Sequence, residues 1–162
     1  MKPANRCFKL VLSAGLLVAS LTIQGFAQNP HCTAVGGAIL TNLGGFGVIN
    51  GSPTTLGVAT GDLKGALGVQ IVSASPDFTS ITVQHHWVTE DGATLKFDQA
   101  TLHGAYVSKT LLAVTEYKIH LSGGTGRFAH ATGNLSSIGE VDFATGDTVL
   151  RYSGTVCYSG SD

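Results

Sequence analysis

Charged side chains are scarce in this sequence. Asp, Glu, Lys and Arg make up 12 % of its 162 residues, about half the share in an average soluble protein. This scarcity excludes a coiled coil, a solvated charged helix and a disordered acidic tail. Long apolar runs are also absent, since the longest covers residues 10–23 and a helix needs about 20 apolar residues to cross a bilayer. The sequence therefore predicts an ordered chain without a membrane-spanning helix.

Glycine, in contrast, is abundant. The sequence contains 22 glycines, about twice the usual share, and each one costs a helix interior about 1 kcal/mol relative to alanine. They are scattered over the whole length among Thr, Val, Ser, Ala and Leu, which suit strands and turns. The composition therefore favours an all-β protein.

Residues 1–27 have the features of a signal peptide. Three basic residues and no acidic residue precede or flank the apolar run, and Gly25 and Ala27 occupy the two small positions of a cleavage site. We expect cleavage after Ala27, which leaves residues 28–162 as a single domain that is secreted or periplasmic. This domain carries a net charge of −4, so neither nucleic acid nor a membrane is an expected partner.

Two cysteines remain after removal of this segment, Cys32 and Cys157. In an oxidising compartment, two cysteines most simply form one disulfide. Here it would join the two ends of the domain. Two free thiols or a pair of metal ligands is the alternative that the residues leave open.

From residue 33 onward, apolar and β-branched stretches alternate with glycine-containing turns, and no 3.6-residue helical pattern occurs. Many short strands in one small domain predict an antiparallel barrel or sandwich. The predicted strands are 34–41, 45–50, 55–64, 66–73, 79–89, 94–102, 110–121, 134–143 and 148–158.

One hairpin can be predicted in register. Gly92 supplies the left-handed residue of a three-residue turn, so Trp87 pairs with Leu95 and His85 with Phe97. The predicted inner face of this hairpin consists of Ile81, Val83, His85, Trp87, Leu95, Phe97 and Gln99.

Alternation on the later strands predicts their inner faces in the same way. These faces are Ala113, Thr115, Tyr117, Ile119 and Leu121, then Leu135, Ser137, Gly139, Val141 and Phe143, then Leu150, Tyr152, Gly154 and Val156. Every carboxylate on these strands then points outward. The sequence thus predicts an interior without Asp or Glu.

A glycine-rich motif, GGTGRFA, covers residues 123–129. A dinucleotide-binding loop would need a helix after it, but the strand-like segment NLSSIGEVDF follows instead. The longer stretch HLSGGTGRFAHATGNL resembles the glycine-rich turn of the dirigent-like and allene oxide cyclase-like barrels, and the YSGTVC ending resembles their last strand. The shared residues, which look like turn and packing residues, are Gly123, Gly124, Gly126, Phe128 and Gly133.

This resemblance implies an antiparallel barrel of roughly eight strands with a hydrophobic cavity, often assembled into dimers or trimers. Members include cofactor-free cyclases, proteins that steer radical coupling, and secreted bacterial proteins. The cyclases and dirigent proteins carry acidic residues in the cavity, whereas the predicted interior of this chain has none. The resemblance therefore predicts the fold and leaves the activity open.

His85 is the strongest candidate for chemistry, because it titrates near neutrality and lies on an otherwise apolar face. It could act as a general acid or base on a small apolar ligand, or be a core histidine hydrogen-bonded to Gln99 or the backbone. The predicted ligand-contacting residues, which could also be ordinary core, are Trp87, Phe97, Gln99, Tyr117 and Tyr152. We expect no metal and no cofactor, because the histidines lack ligand-like spacing.

The sequence thus predicts a secreted barrel that binds a small hydrophobic molecule. If it is an enzyme, it is a cofactor-independent cyclase or isomerase. The alternative is a non-catalytic structural or interaction module with a packed interior. A cavity on the order of a few hundred Å³ distinguishes the ligand-binding protein from the packed one.

Overall fold

The computed structural model describes residues 31–43 and 48–159. In these ranges it contains ten strands and two short 3₁₀ turns, at Gly61–Leu63 and Gly126–Phe128. The strands are β1 (His31–Asn42), β2 (Val48–Ile49), β3 (Ser52–Ala59), β4 (Gly65–Ala74), β5 (Ser80–Thr89), β6 (Thr94–Phe97), β7 (Ala100–Tyr106), β8 (Leu111–Gly124), β9 (Thr132–Asp142) and β10 (Asp147–Tyr158). The predicted signal peptide and cleavage site lie outside the described residues.

The strands form one closed antiparallel barrel. β1 pairs with β10 on one side and with β3 on the other, which joins the two edges of the sheet. β6 and β7 follow one another between β5 and β8 and share one position in the wall, so the barrel has eight staves. The predicted all-β class and antiparallel barrel are confirmed. In the described part of the chain, no helix is long and apolar enough to cross a membrane.

A disulfide closes the barrel at its chain ends, as predicted. Cys32 and Cys157 face one another in the β1–β10 register, and their sulfur atoms are 2.07 Å apart. The bond joins residues 125 positions apart in the sequence. A disulfide of this kind is compatible with an extracellular location.

The β5–β6 hairpin has the predicted register. Trp87 pairs with Leu95, and Gly92 has a φ of 82° in the turn. The prediction that Gln99 faces the interior is wrong, because Gln99 is exposed and Ala100 pairs with Val83 in its place. The cause is an irregularity between β6 and β7, where the wall is continued by a hydrogen bond from the Asp98 amide to the His120 carbonyl.

The predicted inner face of β8 is correct only in its second half. Tyr117, Ile119 and Leu121 are buried. Ala113 is half-buried and Thr115 is exposed, while Leu112 and Val114 occupy the interior, so this part of the prediction is wrong. The β8–β9 register shifts between Val114 and Lys118, and that bulge reverses the alternation.

The interior contains no buried carboxylate among the described residues, as alternation predicts. Its buried polar residues are instead neutral hydroxyl-bearing side chains and one histidine: Thr41, Thr54, His85, Thr89 and Ser137. The inward residues Leu135, Leu150 and Val156 of β9 and β10 are buried as predicted. Among these buried polar residues, His85 is therefore the one whose side chain ordinarily titrates near neutral pH.

The disulfide is expected to stabilise the fold mainly by restricting the unfolded chain, and this effect grows with the length of the loop that it closes. A cross-link spanning 125 residues stabilises by at most about 5 kcal/mol in the chain-entropy model. The double variant Cys32→Ser/Cys157→Ser should therefore unfold at a markedly lower urea concentration than the oxidised protein. Equal midpoints, with equal slopes, would contradict this expectation.

Candidate functional site

One end of the barrel is plugged by the Gly61–Leu63 turn. The Trp87 indole N–H donates to the Leu63 carbonyl at 2.8 Å. The Tyr152 hydroxyl accepts from the Leu63 amide at 3.0 Å and donates to the Thr60 carbonyl at 2.8 Å. Trp87 and Tyr152 therefore anchor this turn across the barrel end, and their rings meet edge to face at 5.8 Å.

The glycine-rich motif completes the same closed end. Gly123 and Gly124 end β8, and a Cβ on Gly124 would lie 2.0 Å from the Thr94 carbonyl oxygen. Gly126 has a φ of 56°, and the buried Phe128 ring follows it inside the turn. At the start of β9, a Cβ on Gly133 would lie 2.5 Å from the Thr155 carbonyl oxygen. The structure thus places all five motif residues where the backbone turns or approaches another strand.

The opposite end of the barrel is hollow. The cavity there has a volume of about 70 Å³. This volume is smaller than the few hundred Å³ expected of a site for a drug-sized ligand, so the cavity has room only for a slender molecule. The walls are mostly aliphatic and include Val69, Ile71, Ile81, Val83, Leu102 and Leu150.

His85 and Tyr117 form a hydrogen-bonded pair in the wall of this cavity. The Tyr117 Oη and His85 Nε2 atoms are 2.7 Å apart, and the two side chains are 2 % and 4 % exposed. Phe97 packs against the edge of the His85 ring, with ring centres 5.3 Å apart. The second ring nitrogen, His85 Nδ1, is the buried side-chain polar atom without a hydrogen-bond partner in the described chain.

Burial makes both members of the pair neutral at physiological pH. Loss of solvent, with a smaller contribution from the neighbouring His86, lowers the pKa of His85 from 6.5 to about 4. Burial likewise raises the pKa of the Tyr117 hydroxyl well above its usual range. Neither group therefore exchanges a proton readily near pH 7.

The structure brings together only part of the predicted site. His85 and Tyr117 lie in the cavity wall, whereas Trp87, Phe97 and Tyr152 lie in the packed core outside it and Gln99 is on the surface. The predicted partner of a core His85 was Gln99 or the backbone, and its partner is Tyr117. Sequence reasoning missed the cavity walls formed by β1, β3 and β4, whose alternation is weak because glycines interrupt them.

No protein-family model and no curated protein matches this sequence. Among solved structures, the chain is similar to the pterocarpan synthase dirigent protein GePTS1, at 15 % identity and a TM-score of 0.37. The match covers 90 % of this chain and 98 % of that chain. The closed eight-stave barrel and the glycine turn after β8 agree with the dirigent-like resemblance of the sequence. The fold is the closed antiparallel barrel that this resemblance implies. The similarity to GePTS1 is too distant to carry an argument about family, ligand or activity.

Because His85 is neutral in the folded protein, acid should lower the free energy of unfolding. The pKa of His85 is lower in the folded protein than the usual 6.5, so the unfolded chain binds the proton more tightly and stability is lost as pH falls from 7 to 4. The part of this loss due to His85 is on the order of 3 kcal/mol, and it should be absent in His85→Phe.

Urea unfolding at pH 7 and pH 4 measures this difference. A matched control is His86→Gln, since His86 is exposed on the outer face and its loss should leave most of the acid effect in place. If the wild-type protein and His85→Phe lose the same stability between the two pH values, His85 is not the buried neutral group described above.

Proposed function

We propose that the protein is a secreted β-barrel that binds a slender apolar molecule in the open end of its barrel. The observation that carries this proposal is the contrast between the two ends. One end is plugged by anchored turns, while the other encloses an unfilled aliphatic cavity with a single buried polar pair. A protein with a purely structural interior would gain stability by filling that space.

The dimensions of the cavity favour a narrow ligand. A cavity volume of about 70 Å³ is small for a bound molecule and favours a single flexible chain over fused rings. The walls supply aliphatic contacts, which stabilise a bound chain by about 25 cal/mol for each Å² of apolar surface removed from water. Thr41 and Thr148, which face one another in the β1–β10 pair, add two hydroxyl groups to the lining.

The state of the His85–Tyr117 pair supports binding rather than acid–base catalysis. A histidine with a pKa of about 4 is a weak base at pH 7, and a buried tyrosine with a raised pKa is a weak acid. A cofactor-independent cyclase or isomerase built on this site would have to act by holding one reactive conformer in the cavity.

Secretion is supported by two independent features. Residues 1–27 have the pattern of a signal peptide. The disulfide between Cys32 and Cys157 suits an oxidising compartment outside the cytoplasm. We therefore place the proposed binding activity in the periplasm or outside the cell.

Filling part of the cavity with a larger side chain should weaken binding. Thr148 lines the cavity and is half-buried, so Thr148→Phe places a ring in the path of the ligand. We expect the affinity for 2-hexanone, a slender apolar probe, to fall at least about tenfold, which corresponds to about 1.4 kcal/mol. Chemical-shift changes in a nitrogen-15 NMR titration measure the affinity and show which residues the probe contacts.

The matched control is Thr155→Phe, which makes the same change on the exposed outer face of β10. Its affinity for 2-hexanone should equal that of the wild-type protein. If the wild-type protein shows no saturable shifts, or shifts only on its outer surface, the proposed function is wrong.

The self-association implied by the family resemblance has a candidate surface on the outer wall. Leu40 pairs with both Val149 and Val58, and Ala66 continues the row from Val58 to Val88. These residues are exposed and uncharged, and the row runs across five neighbouring strands. We propose that a second copy of the chain covers this row, because contact between two such rows removes both from water.

Sedimentation of the purified protein over a range of concentrations tests this assembly. The protein should sediment as an oligomer, and Val58→Lys should shift it towards the monomer because the new charge would be buried in the contact. Thr155→Lys adds the same charge at an exposed site away from the row and should leave the oligomer intact. A wild-type protein that stays monomeric at all concentrations contradicts the proposal.

A further inference from the structure

The cavity contains one buried polar atom that the protein itself does not satisfy. His85 Nδ1 has no hydrogen-bond partner, although the side chain is 4 % exposed and lies in the cavity wall. A buried polar atom without a partner is costly and rare in a folded protein. His85 lines the cavity but this atom lies beneath the cavity surface, so a ligand oxygen pairs with it only where the side chains around it move apart.

The hydrogen-bond pattern identifies this atom as a donor. If Tyr117 donates its hydroxyl hydrogen to His85 Nε2, the neutral imidazole carries its own hydrogen on Nδ1, and one donor is left over. In the reverse arrangement, His85 Nε2–H donates to Tyr117, and both the tyrosine hydrogen and the Nδ1 lone pair are left without partners. The first arrangement leaves fewer groups unsatisfied, so the free atom is an N–H.

The cavity also lacks the means to hold a charge. None of the described residues that line it is Asp, Glu, Lys or Arg. His85 is neutral near pH 7 because burial lowers its pKa to about 4. A carboxylate or an amine bound here would lose its hydration without gaining an opposite charge.

We propose that the ligand of this barrel is an uncharged molecule with an aliphatic chain and one oxygen acceptor, such as a ketone, aldehyde, ester or ether. Its oxygen accepts the hydrogen bond from His85 Nδ1–H. Its chain runs along the aliphatic wall that includes Val83 and Leu102 towards the mouth. This inference rests on the proposed binding function and adds the chemical class of the ligand.

Three probes with similar chains test the chemical class of the ligand separately from the proposed binding function. They are 2-hexanone, the nearly isosteric alkene 2-methyl-1-hexene, which lacks the oxygen, and hexanoate, which is charged. The alkene is more hydrophobic than the ketone, so its transfer out of water favours its binding even without a hydrogen bond. The informative quantity is therefore the ratio of the two affinities and how that ratio changes in the variants. Nitrogen-15 NMR titrations at pH 7 measure all three.

The decisive variant is His85→Phe/Tyr117→Phe, which removes both polar groups and keeps two rings of similar size. We expect the ketone-to-alkene affinity ratio to fall at least about tenfold, while the alkene itself binds as before. Tyr117→Phe alone keeps a histidine N–H and should retain the preference for the ketone. Hexanoate should bind the wild-type protein at least about tenfold more weakly than 2-hexanone.

An unchanged ratio in the double variant overturns this inference and leaves the proposed binding function standing. If none of the three probes binds the wild-type protein, both are wrong. Should the double variant fail to fold, the wild-type comparison still decides, because hexanoate binding as tightly as 2-hexanone excludes an uncharged ligand as the preferred class.

Discussion

Closure of the sheet through β1 is the constraint on which the rest of this structure depends. β1 pairs along its whole length with β10, and its last four residues, Ile39–Asn42, pair with β3, so the sheet closes on itself at this junction. The disulfide at one end of the β1–β10 pair holds the same junction covalently. Once the sheet is closed, every inward residue must share one interior, and the two ends become the sites where the barrel is either plugged or open.

The consequences of closure differ at those two ends. At the plugged end, the polar atoms of Trp87 and Tyr152 are used to hold a turn in place, and the large rings fill the space beneath it. At the open end, aliphatic side chains leave a cavity. In its wall, His85 and Tyr117 are hydrogen-bonded to each other. The sequence has few charged residues, and the titratable groups of this cavity wall, His85 and Tyr117, are neutral near pH 7. A neutral cavity suits the recognition of an uncharged molecule.

The sequence predicts those parts of the fold that depend on neighbouring residues. Gly92 determines the turn of one hairpin, and the pairing of Trp87 with Leu95 follows from it. The prediction that Gln99 and Thr115 face the interior is wrong, because bulges that depend on distant strands reverse the alternation beside them. The partnership of His85 with Tyr117 joins residues 32 positions apart, and local pattern places both inward without showing that they touch. The family resemblance implies a cavity, but its position at one end and the residues of its walls could not be predicted, since they depend on how all eight staves meet.

The most direct test of the account is the position of a bound molecule inside the barrel, read from intermolecular nuclear Overhauser effects. With 2-hexanone bound, contacts are predicted between its chain and the methyl groups of Val83 and Leu102, with its carbonyl end next to His85. The account is contradicted if the contacts fall on the outer wall, or if methyl groups at the plugged end, such as those of Leu63, contact the probe instead.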